Sequence, residues 1–176
     1  MEWLELSHGD FNKRRDDYLN NPNAFFMLGC DCEPLFFDDF AERIEELDEM
    51  ISWKCEAKKV ELCDNIRLIP FAMMGSGDLY CFLFENAGSE PKVILYFHDD
   101  FDEPDIIADS FDEFLYVMML DAAAFDKDIE GERRKAHLKY LSDEYKEKIR
   151  GKNAAQLSDE FDCIRYKKAK IFSPVK

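Results

Sequence analysis

The hydrophobic period changes several times along the chain, and each change marks a predicted element. Leu79 to Glu85 alternates aromatic and aliphatic side chains as a strand does, and Val93-Ile94-Leu95-Tyr96-Phe97 reads as a second strand. The turn formers Asn86 to Pro91 join them, so the pair is most simply an antiparallel hairpin. Upstream, Leu68-Ile69-Pro70-Phe71 approaches the turn Gly75-Ser76-Gly77-Asp78, whose glycines are read as supplying positive φ. Val60 to Cys63 and Ile66 to Phe71 suit further strands, the second placed at a sheet edge because Pro70 lacks an amide proton.

Helical spacing takes over elsewhere. Phe40, Ile44, Leu47 and Ile51 repeat as one helix face, which predicts an amphipathic helix over Asp38 to Trp53. Its opposite face carries Glu42, Glu45, Glu46, Asp48 and Glu49 and is either a solvated face or part of a binding surface. Ser110 and Glu113 have capping-box spacing, so a helix starts there with Phe111, Phe114, Leu115, Met118 and Ala122 on the face laid against the sheet. Ser7 and Asp10 open a first helix reaching Asn20. Asn20 to Pro34 is a loop by composition, with Ala24 to Leu28 readable as a short buried strand. Beyond Gly131, Leu138, Leu141, Tyr145 and Ile149 mark a long helix ending near Arg150-Gly151, and a further helical segment is expected from Ser158 to Ala169.

The order IPFA, GSGDLYCFLFE, PKVILYFHDD, IADSFDEFLYVM between residues 69 and 118 resembles the SUKH superfamily, dominated by bacterial immunity proteins for secreted toxins and also containing fungal cell-wall regulators. The resemblance is clearest over residues 68–121. Its most specific parts are the Gly-Asp turn running into an aromatic strand and the Ala108-Asp109-Ser110-Phe111 helix entry. It implies an α+β fold, a SUKH-like antiparallel or mixed sheet flanked by helices, here with extra C-terminal helices. The proline-led helix and Asn-Gly turn that members carry near the N-terminus have no counterpart here, so the N-terminal third is read as a divergent version or a replacement. The shared residues look like scaffold: glycines for turns, a serine for a cap, aromatics for a core.

Charge alters this picture. The 176 residues carry a formal net charge of -16, with 9 Lys/Arg against 30 Asp/Glu in residues 1–126 and 14 against 9 in residues 127–176. The break at Asp126 therefore divides an acidic domain, residues 1–126, from a C-terminal extension, residues 127–176, expected to be helical and packed on the same domain. An acidic body repels phosphate backbones, which argues against nucleic-acid binding, and it attracts a basic protein partner. The equally simple alternative is an acidic surface that only confers solubility. The length suits one domain, and no apolar run approaches the roughly 20 residues that span a bilayer. The acidic start Met1-Glu2-Trp3-Leu4-Glu5 is unlike a signal peptide, so a cytoplasmic protein with no membrane partner and reduced thiols is expected.

Sites with chemistry fail on spacing. Cys30 and Cys32, with Cys55 and Cys63, lack the knuckle spacing of a zinc site, and Gly75-Ser76-Gly77 precedes a strand where a phosphate loop needs a helix. Counted from Asp100, the acidic loop puts Asp105 where an EF-hand needs glycine and Phe111 where it needs glutamate. None of His8, His98 and His137 sits in a nucleophile-base signature. No catalytic residue, metal or cofactor is expected. From His98 to Glu113 there are eight carboxylates and no Lys or Arg, so Asp99, Asp100, Phe101, Asp102, Glu103 and Asp105 are the candidate partner-binding residues, on charge density alone. The resemblance implies an immunity protein that neutralises a bacterial secreted or contact-delivered toxin, for instance a cationic nuclease, by stoichiometric binding. The alternatives are an intracellular scaffold or regulator of the same fold and, less simply, a small-ligand-binding protein or enzyme.

Overall fold

A computed structural model describes residues 32–35, 40–86, 88–99, 102–125, 138 and 140–175. The first expected helix, Ser7 to Asn20, the alternative strand Ala24 to Leu28 and the composition break at Asp126 lie outside the described residues. The described chain forms two compact units, one within residues 33–110 and 166–175, the other within 111–165.

In the first unit the predicted hairpin is the centre of a sheet. Strands β1 (Cys32–Pro34), β3 (Arg67–Met74), β4 (Leu79–Phe84), β5 (Lys92–Tyr96), β6 (Asp105–Ala108) and β7 (Lys167–Lys168) lie in the spatial order β1-β3-β4-β5-β6-β7. The pairs from β3 through β7 are antiparallel. Strand β2 (Val60–Leu62) is not part of this sheet but pairs antiparallel with β8 (Phe172–Pro174). Pairing Leu79 with Tyr96 and Cys81 with Ile94 puts alternate residues of β4 and β5 on one face. There Leu79, Cys81, Leu83, Ile94 and Tyr96 form a buried core with Leu47, Ile66, Ala169 and Ile171. The opposite face is aromatic, with Phe71 stacked on Phe82 at 4.4 Å between ring centres.

Helix α1 (Phe40–Lys58) runs one turn beyond the expected end and stops where Lys59 turns left-handed, at φ 57°. Its buried line passes through Leu47 and Lys54, flanked by Met50 and Ile51, so Ile44 falls at the margin and is 40% exposed. The β3–β4 turn closes through Met74 N to Asp78 O (2.8 Å) and Gly77 N to Met74 O (2.9 Å). Only Gly77 of its two glycines has positive φ, at 96°, so the expectation for Gly75 is not met. Pro70 is not at an edge either. β3 lies between β1 and β4, and a register shift between Pro70 and Ala72 accommodates the missing amide proton.

The second unit contains helices α2 (Phe111–Phe125), α3 (Asp143–Ile149) and α4 (Ala154–Asp162). α2 starts immediately after Ser110, as expected, but Phe114 to Leu120 are all buried where a single apolar face was predicted. α4 begins one turn before the expected cap at Ser158. Asn153 accepts from the Gln156 amide and Gln156 returns the bond to the Asn153 amide, each at 3.0 Å. The Tyr116 hydroxyl donates to Glu160 (2.5 Å), which Lys152 also holds (2.5 Å), while Tyr116 stacks on Tyr145 at 4.7 Å. Burial would raise the Glu160 carboxyl, but Lys152 and Tyr116 outweigh it and hold it below its ordinary range.

The helix expected to reach Ala169 therefore ends at Asp162, and the chain turns extended. Lys167 and Lys168 pair with Ile106 and Asp105, and Leu62 with Phe172. Ala169 and Ile171 enter the core, and this burial and strand pairing outweigh local helical preference. Among the described residues no helix is long and apolar enough to cross a membrane.

Candidate partner-binding surface

The acidic segment from His98 to Asp105 connects β5 to β6, and its described residues belong to the first unit. Its two ends are tied down by different means. At the start, the His98 amide and Nδ1 both reach Asp78 Oδ1, at 3.0 and 2.9 Å, while Ser76 Oγ donates to Asp78 Oδ2 at 2.7 Å. Burial alone would raise the Asp78 carboxyl; the bonds from the His98 ring, Ser76 and the His98 amide overcome it and leave the group below its ordinary range. Asp78 thus joins the β3–β4 turn to the loop, a link the Gly-Asp spacing alone did not disclose.

At the far end, Asp105 is the first residue of β6, paired with Lys168 in register and by an ion pair of 3.0 Å. Pro104 is buried, and its carbonyl accepts from the Ala169 amide at 2.7 Å. The Asp102 carbonyl accepts from Lys54 Nζ at 2.8 Å. Glu103 turns part of its carboxylate inward: Oε2 is buried with no hydrogen-bond partner among the described residues. Burial raises this carboxyl above its ordinary range, against the opposing pull of the Ile171 amide, Lys54, Lys58 and Lys168.

Of the six candidate residues, Asp99 and Asp102 are exposed, Glu103 and Asp105 serve partly internal contacts, and Asp100 and Phe101 lie outside the described residues. The acidic side of α1 supplies a second surface. Glu42, Glu45, Asp48 and Glu49 are exposed there, and Trp53 on the same helix is 48% exposed. Arg43 forms an ion pair with Glu46.

Among the described residues the chemistry available is limited. Asp78, His98 and Asp99 bring one nitrogen and two carboxylates within 4.8 Å of one another. His98 Nδ1 and both Asp78 oxygens are already engaged in hydrogen bonds, so a metal would have to displace them, and three ligands fall short of a closed structural zinc site. Cys55, Cys63, Cys81 and Cys163 are free thiols; burial pushes the Cys81 thiol upward, away from a reactive thiolate. Cys30 lies outside the described residues.

The model of the SMI1 / KNR4 family (SUKH-1) matches residues 2–116. The chain belongs to this family. Because the SUKH-1 match begins at residue 2, it takes in the N-terminal third. It also covers every candidate loop residue and all of α1. Comparison with curated proteins and with solved structures gives no match.

Sequence reasoning missed Lys54 and Lys168 as supports of the loop. A signal for Lys54 was present: it lies seven residues after Leu47, on the apolar line of α1, where a lysine needs a buried partner.

Proposed function

We propose that this SUKH-1 protein is a non-enzymatic immunity protein that binds a bacterial secreted or contact-delivered toxin, a basic domain such as a nuclease, and blocks it stoichiometrically in the cytoplasm. Membership of a family that includes toxin immunity proteins carries this reading. The formal charge of -16 supports it, because an acidic surface steers a cationic partner and speeds the encounter. Asp99, Asp100 and Asp102 are the loop carboxylates assigned to that encounter, with Phe101 supplying short-range apolar contact. Glu103 and Asp105 contribute to the field while holding the loop. Specificity lies in shape and charge, and no cofactor or metal takes part.

The test uses a toxin domain encoded beside this gene. Replacing Asp99, Asp100 and Asp102 by Asn should slow its association by about tenfold at low salt and flatten the salt dependence, with unfolding unchanged. Identical association kinetics would remove the loop from the interface. A pull-down that recovers a cellular enzyme and no toxin would favour a regulatory scaffold of the same fold.

A further inference from the structure

Lys54 is the one charged residue among the fully buried positions of the described chain, at 2% exposed. A lysine is rarely buried without compensation, because its ammonium loses hydration that only hydrogen bonds and opposite charge can replace. Nζ donates to the Asp102 carbonyl at 2.8 Å and stands 4.6 Å from the centre of the Tyr96 ring and 5.6 Å from that of Phe172. The Glu103 carboxylate, with its buried Oε2, feels the charge of Lys54 together with those of Lys58 and Lys168. α1, β5 and the C-terminal strand β8 thus surround one ammonium, which meets the Asp102 carbonyl directly and acts on the Glu103 carboxylate through its charge.

We propose that Lys54 is a positioning residue, a latch that fastens the acidic β5–β6 loop to the core through the Asp102 carbonyl and the Glu103 carboxylate. The inference rests on reading that loop as the surface met by a basic protein partner. A free loop of this charge would repel itself and sample many conformations, and a partner would have to bear the entropy of ordering it. By holding the backbone at Asp102, Lys54 removes part of that cost in the free protein. The side chain of Asp102 is then presented outward while its carbonyl stays inward. The two roles are separable because they use different atoms of one residue.

Hydrogen exchange in the free protein tests the latch without any partner. In Lys54→Met, which keeps the length and apolar stem, amides between residues 99 and 105 should exchange about tenfold faster, with β4 and β5 amides within about twofold of the parent. Lys54→Arg, which retains a cation and donors, should restore part of the loop protection. Unchanged loop exchange in Lys54→Met, loosening spread evenly over the sheet, or the same loss in Lys54→Arg would each overturn the proposal. Should Lys54→Met fail to fold, NMR of the unaltered protein decides: Lys54 ammonium protons should exchange slowly and show proximity to the Tyr96 ring. Fast exchange there would reject the latch. These readouts stand apart from toxin binding, so loss of either claim leaves the other to be judged on its own data.

Discussion

The outer face of α1 and the β5–β6 loop have similar acidic sequences and are built differently. On α1, Glu42, Glu45, Asp48 and Glu49 are exposed at three- and four-residue spacings, where like charges repel. In the loop, Glu103 turns partly inward, Asp105 is paired with Lys168, and the Asp102 backbone is held by Lys54. The helix gets its order from its buried side and tolerates the repulsion. Among its described residues the loop has no such internal ladder and is held by lysines and the Asp78–His98 tie. Charge density alone therefore does not rank binding surfaces: some carboxylates hold the scaffold while others face water.

The largest contrast should come from the two sides of α1. Leu47→Ala, which empties a fully buried position, should cost about 2–5 kcal/mol in a urea unfolding experiment. A loss below that range would mean the core beneath α1 collapses readily and that the helix does not depend on its buried line.

The loop side of the comparison turns on Asp78. Replacing Asp78 by Asn should cost about 1–3 kcal/mol near neutral pH, since the charge and one of the two oxygens that accept these hydrogen bonds are lost. The folded carboxyl sits below its ordinary range, so between the two values the unfolded chain binds more protons and stability rises with pH. The contribution is complete above about pH 4–5 and falls away as pH drops through the lowered value. Thermal unfolding across acid pH should thus show a steeper loss in the parent than in Asp78→Asn. Parallel curves would separate Asp78 from the acid stability of the loop.

The smallest effect on stability belongs to the exposed acids of α1. Glu45→Gln with Glu49→Gln should leave stability within about 0.5 kcal/mol or raise it slightly by relieving repulsion. If this pair slows association with a toxin more than the changes at Asp99, Asp100 and Asp102 do, the helix replaces the loop as the main encounter surface.

The sheet was legible where local signals agreed. Alternation at Leu79–Glu85 and Val93–Phe97, the intervening turn residues and the helical repeat through Leu47 each correspond to an element of the fold, although Ile44 falls at the margin of its face and β4 is buried on both sides. β6 was not legible, because Ile106-Ile107-Ala108 is too short to declare a period and runs straight into a helix start. β7 and β8 were hidden for another reason: Lys167 and Lys168 have little strand preference and become a strand only by pairing with Ile106 and Asp105, some sixty residues away. The candidate loop was visible as charge, but its supports were not. Lys54 and Lys168 meet it through long-range contacts that no short spacing records.

Stoichiometric binding has a direct signature in a titration of toxin activity against this protein. With toxin held well above the dissociation constant, activity should fall linearly and reach zero at one equivalent, and separating the complex should return active toxin. Inactivation by a small fraction of an equivalent would reveal catalysis, and full toxin activity in excess protein would contradict the immunity reading.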